Sequence, residues 1–161
     1  MKKFTKNDKQ ILHKLVEEYG EDVIATATTV VNDKSADYRE FVFLYIRLLE
    51  GIRIRLREFH WETRNNSKHK LTDDMIAYYE SKEDEIAEDL MGSLNYRIQV
   101  GDVVAIMPDS TELDKLIDEI DAISKEVKEF LDDNTKAYGL INIMDDLLHQ
   151  TAKFKYLSTM K

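Results

Sequence analysis

One proline, Pro108, and five glycines are the only strong helix breakers in this chain of 161 residues, and that scarcity constrains it more than any other feature. Proline removes a helix hydrogen bond, and glycine carries the largest backbone entropy cost. A chain nearly free of both suits long helices and suits the tight turns of a β fold poorly. With 43% apolar and 34% charged residues, each helix can bury one face and solvate the other. The expected class is all-α, and the length fits one domain with its own core.

The spacing of apolar residues divides the chain. Residues 8–31 read as two short helices broken at Gly20, the first carrying Ile11, Leu12, Leu15 and Val16, so residues 1–33 are assigned to a helical N-terminal extension. "NDKS" at 32–35 offers caps for a first long helix reaching about residue 64. Inside it "IRIRLR" alternates like a strand, but its neighbours favour helix and no turn signal brackets it. "RNNSK" at 64–68 is a polar hinge. A second long helix over about 68–97 follows, with a stripe of Leu71, Met75, Ile76, Tyr79, Ile86, Ala87, Leu90, Met91 and Leu94.

"IQVGDVVAIMPD" at 98–109 turns β-branched and marks a connection, with room for a short helix of its own. Asp109, three residues before Glu112, is the expected capping-box start of a third helix bearing Leu113, Leu116, Ile117, Ile120, Ile123, Val127 and Phe130. Asn134 or Thr135 is expected to cap a fourth, carrying Leu140, Ile141, Ile143, Met144, Leu147, Leu148 and Phe154. Four amphipathic helices over 34–161, with the longest link between the second and third, describe a four-helix bundle.

Composition excludes several classes of function. Without cysteine there are no disulfides, thiolate zinc sites, iron–sulfur clusters or thiol nucleophiles, which is compatible with a cytoplasmic location. The first twenty residues lack a continuous apolar core for a signal peptide and no later segment has the apolar length to span a bilayer, so a soluble protein is expected. Lys plus Arg number 23 against 32 Asp plus Glu, and the net charge of −9 repels phosphate backbones. No nucleophile elbow, phosphate loop or dinucleotide fingerprint is present.

The stretch "REFHWETRNNSKHK" at 57–70 is the candidate for chemistry. His60 falls near the end of the first long helix and His69 near the start of the second, so the hinge turns both imidazoles to one end of the pair. Asp84 and Glu88 stand one turn apart on the second helix, at the Ala87 and Met91 edge of its stripe, which faces a seam or a neighbouring subunit. Imidazole nitrogens with carboxylate oxygens suit divalent first-row iron and also stabilise its ferric state. The same residues also fit a solvated charged face with a histidine cap.

"HW" at His60 and Trp61, then His69, then "DEIAE" at 84–88, resembles the signature of the mini-ferritins, the Dps family of DNA-binding proteins from starved cells. Asp132, Thr135, Lys153 and Tyr156 are similar to that family's closing helix pair, and the hinge here is a few residues shorter. The resemblance implies a ferritin-like bundle and a homo-oligomeric, dodecamer-like shell. It implies a ferroxidase centre at a two-fold interface, with His60 and His69 from one subunit, Asp84 and Glu88 from its partner, and Trp61 packed against or near the site. The activity implied is oxidation of Fe(II) by peroxide or oxygen, with iron storage and protection from oxidative stress. Acidic residues such as Asp132 and Asp133 would then guide iron through pores.

Other readings stay open. The bundle can serve as a structural or assembly module with a degraded metal set, or as a DNA-compacting protein through Lys2, Lys3, Lys6 and Lys9, although Asp8 and the overall charge make DNA binding weak or absent. Asp146 and His149, spaced D-x-x-H, together with Glu83 and Glu50, suggest a site inside the bundle. His13 reads as surface, and Tyr78 and Tyr79 as packing residues.

Overall fold

The computed structural model describes residues 34–94, 97–135 and 137–160, and the extension read over residues 1–33, with His13 and the N-terminal lysines, lies outside them. The described chain is an all-α four-helix bundle: α1 (Lys34–Glu62), α2 (Asn66–Leu94), α3 (Leu113–Asn134) and α4 (Tyr138–Ser158). None of its helices is long and apolar enough to cross a membrane.

The strand-like "IRIRLR" is helical. Its alternation arises because α1 is covered on several sides. Ile52 and Leu56 are buried in the core, Arg53 enters the seam with α2, and Arg55 reaches the main chain beyond α2 at Pro108. On α2 the expected stripe is the buried one, through Leu71, Met75, Tyr79, Ile86 and Leu90. On α3 every residue of the expected stripe from Leu113 to Phe130 is buried. A side chain such as Leu49, Leu116 or Leu147, with no exposed surface, contributes about 1.5–3 kcal/mol by leaving water.

Cross-helix contacts fix the topology. Phe41 meets Phe130 at a ring distance of 4.1 Å and Tyr45 bonds Ser124 at 2.8 Å, so ascending α1 means descending α3. Tyr79 bonds Thr151 at 2.8 Å while Lys82 pairs with Asp146, so α2 and α4 are antiparallel too. Since α1–α2 and α3–α4 are antiparallel hairpins, the order is up-down-down-up. It requires one long crossover, between α2 and α3.

Among its described residues that crossover carries no helix of its own. Its described part turns at Gly101, with φ of 93°, where the Gln99 N–H donates to the Asp102 carboxylate at 2.7 Å. It then runs extended along α1. The Ile106 N–H donates to the Arg47 carbonyl at 2.9 Å, Arg47 Nε donates to the Val104 carbonyl at 2.8 Å, and Arg55 donates to the Pro108 carbonyl at 3.1 Å. Gly51 lies beneath it, where any Cβ would collide with the main chain of Ile106.

Two helix starts differ from those expected, and the strap accounts for the first. The N-cap of α3 is Glu112, in extended conformation and without a side-chain capping bond, rather than Asp109. The chain stays extended past Pro108 until it clears the end of α1, and only then can it coil. The N-cap of α4 is Ala137, with Thr135 accepting its N–H at 3.2 Å. Thr135 is itself the C-cap of α3, so one short turn serves both helices.

Candidate metal centre

The elbow between α1 and α2 is built by Asn65, whose side-chain oxygen accepts the N–H groups of Ser67 at 2.8 Å and Lys68 at 3.1 Å. This cap starts α2 with only three residues between it and the end of α1 and folds the two helix ends together. His60 and His69 are thereby brought face to face, with ring centroids 3.7 Å apart and planes inclined by 26°.

Each imidazole bonds the other residue's main chain: His60 Nδ1 to the His69 carbonyl at 3.3 Å, and His69 Nδ1 to the His60 carbonyl at 3.1 Å. Carbonyl oxygens only accept, so both Nδ1 atoms carry the hydrogen and, in the neutral rings, both Nε2 atoms keep a lone pair. Asp73 places a carboxylate oxygen 3.2 Å from His60 Nδ1, and the buried Thr72 hydroxyl stands 3.4 Å from the same nitrogen. Histidines that bind metals are held in this manner, by a carboxylate or carbonyl on the nitrogen that faces away from the ion.

His60, His69 and Asp73 can bring one ligand atom each to within 4.8 Å of one another, the one such grouping among the described residues. Asp73 was not singled out from the sequence. The signal for it was its position four residues after His69, on the same helix face. His60 retains 18% of its side-chain surface while Asp73 retains 60%, so the elbow is open on one side.

Asp84 and Glu88 do not join this group within one chain. They are exposed on α2, and the fifteen residues from His69 to Asp84 correspond to about 22 Å of helix rise. Trp61 is 74% exposed and so does not pack against the histidines in the single chain.

The residues suggested for an interior site go elsewhere. Glu50 and Glu83 do converge, but on the Arg53 guanidinium, at 2.8 Å and 2.7 Å. Burial holds the Glu83 carboxyl above the usual carboxylate range despite this partner. Asp146 bonds Lys82 at 2.8 Å and accepts from Tyr78 at 3.2 Å. The Lys82 hydrogen bond holds its carboxyl below the usual range, while His149 is exposed. A cavity of about 400 Å³ shares Thr72 with the elbow and is otherwise lined by groups such as Glu62, Lys68 and Asp114.

No family model, curated protein or solved structure matches the chain.

Proposed function

We propose that the elbow is the nitrogen half of an Fe(II)-binding site, that Asp84 and Glu88 of a second copy supply the oxygen half, and that the protein oxidises and sequesters iron in the manner of a Dps-like mini-ferritin. The observation that carries this reading is the reciprocal tether of His60 and His69. Both Nδ1 atoms are committed to carbonyls, which reserves both Nε2 atoms as donors. Asp73 places a carboxylate oxygen beside His60 Nδ1, which helps to fix the orientation of that ring.

Iron enters as substrate. Two imidazoles and a nearby carboxylate are donors that Fe(II) accepts, and added carboxylates favour Fe(III), so a completed site pulls the ion toward oxidation by peroxide or oxygen. The elbow's open side and the exposure of Asp84 and Glu88 leave both halves free to meet across a two-fold axis.

Chain mixing tests this. A His60→Ala, His69→Ala chain and an Asp84→Asn, Glu88→Gln chain should each fail to oxidise Fe(II) above the buffer rate. After denaturation and joint refolding, half of the dimers pair unlike chains and regain one site of two, so about a quarter of wild-type activity should return. A mixture no faster than its components rejects the shared site. Full activity in the carboxylate variant alone would place the chemistry within one chain, on His60 and His69.

The helical assembly module is the second reading, and the same contacts support it: His69 caps the carbonyl of His60 in the last turn of α1, a role that needs no metal. Wild-type protein with no Fe(II) oxidation and no Fe(II) binding would favour it.

A further inference from the structure

The charges of the α1–α2 hairpin are sorted toward opposite ends. At the elbow Arg57, Arg64, Lys68 and Lys70 stand against Glu58 and Glu62. Glu58 is already bonded to Arg55, and none of the four cations forms an ion pair among the described residues. At the far end, residues 80–89 carry six carboxylates against Lys82. Arg53 and Lys82 pair with Glu80, Glu83 and Glu85, while Asp84 and Glu88 are exposed and form no ion pair among the described residues. A hairpin with uncompensated positive charge at one end and uncompensated negative charge at the other is complementary to its own copy turned end over end.

The exposed line of α2 has the register that such a pairing needs. Lys70, Ala77 and Asp84 follow at intervals of seven residues, which drift by only about 20° per step around a helix, and all three are exposed. Ala77 lies midway, with about 10 Å of helix rise on each side. A two-fold axis crossing α2 at Ala77 therefore sets Lys70 against the partner's Asp84 and, by symmetry, Asp84 against the partner's Lys70. The same register sets Asp73 opposite Ser81 rather than opposite a carboxylate. Trp61, 74% exposed, lies one turn beyond Arg57 at the basic end and is the kind of large apolar side chain that anchors an interface. We propose that two copies of the chain pair antiparallel across the outer face of the α1–α2 hairpin, about a two-fold axis at Ala77, with the basic elbow of each against the acidic end of the other's α2. The proposal rests on the preceding reading for its occupant, a second copy; the surface, the register and the part played by Lys70 come from the charge pattern.

Sedimentation velocity on the full chain tests it. Wild type should sediment as a dimer or an even multiple of one, and rising salt should weaken the association. Lys70→Glu and Asp84→Lys should each weaken it at least about ten-fold, because each sets like charges together twice. An equal mixture of the two variants should recover it, as should both substitutions in one chain, since every contact is then opposite in sign. The chain has no cysteine, so Ala77→Cys supplies one thiol per copy. It should form a disulfide-linked dimer under mild oxidation, whereas Lys125→Cys, exposed on α3, should not. A wild type that stays monomeric overturns the proposal, and so does a dimer that is indifferent to both charge reversals or is recovered by neither combination. Single-stranded DNA bound by a monomeric wild type and released by Lys70→Glu also overturns it, since the elbow's cations would then serve a nucleic acid. Fe(II) oxidation is scored separately: a charge-paired dimer that oxidises no Fe(II) would remove the iron reading and leave the interface standing.

Discussion

His60 and His69 each donate an Nδ1 hydrogen to the other's main-chain carbonyl, at 3.3 Å and 3.1 Å, with their rings stacked between. The pair therefore closes the hinge and presents unshared Nε2 atoms with one set of bonds.

Replacing either histidine by alanine should weaken Co(II) binding at least about ten-fold, and Asp73→Asn should weaken it less, since the amide oxygen still accepts from His60 Nδ1. Cobalt absorption spectra read both effects. Unchanged affinity in both alanine variants would remove the elbow as a ligand source. His69→Ala should also cost about 1 kcal/mol of stability by freeing the His60 carbonyl.

Gly51→Ala should destabilise the fold by about 1–3 kcal/mol, because the methyl group forces the strap off α1 at Ile106. Urea denaturation measures the loss, and hydrogen exchange at the Ile106 amide should rise with it. A variant as stable as wild type would mean that the strap is not docked there.

The buried Tyr45–Ser124 bond is asymmetric. Ser124 donates to the Ile120 carbonyl at 2.6 Å, so the Tyr45 hydroxyl is the donor to Ser124. Ser124→Ala leaves that hydroxyl buried without an acceptor, at a cost of about 1–3 kcal/mol, whereas Tyr45→Phe leaves Ser124 satisfied and should cost about 1 kcal/mol. The reverse order in paired denaturation curves would contradict this donor assignment.

Acid titration should show two opposed contributions. Glu83 is held above its usual range by burial, so the folded state takes up its proton more readily than the unfolded chain. That contribution is present below the unfolded value, about 4.3, and is lost as pH rises through the folded value. Asp146 is held below its usual range by Lys82. Its contribution is present above the unfolded value, about 3.9, and is lost as pH falls through the folded one. Denaturation between about pH 3 and pH 7 should show Glu83→Gln removing the decline on the neutral side and Asp146→Asn flattening the acid side. A Glu83→Gln variant with the wild-type profile contradicts the first assignment.

Much of the bundle was legible because period and burial agree along α2 and α3, where the stripe read from spacing is the buried face. Helix starts were less so. Asp109 has the capping chemistry, but the strap is still bound to α1 at Pro108, and tertiary contacts override a local signal. The meeting of His60 with His69 could be anticipated from a short hinge between long helices. Asp73 was missed because a carboxylate one turn from a histidine is common on any charged helix. Arg53 was missed for a related reason: an arginine in an alternating run carries no mark of the three carboxylates, some thirty residues on or one turn back, that it will bind. Nothing local in "HW" says that Trp61 faces solvent in the single chain.

The strap that runs along α1 orders the events by which the chain assembles. The α1–α2 and α3–α4 hairpins close short loops and can form early, whereas the crossover's bonds at Arg47 and Arg55 tie residues more than fifty positions apart and gain nothing until the two hairpins have met. Docking of the strap is thus the late, cooperative step. A nick between Gly101 and Asp102 should leave two half-proteins, each with an uncovered oily face, that recover the native state only by finding one another.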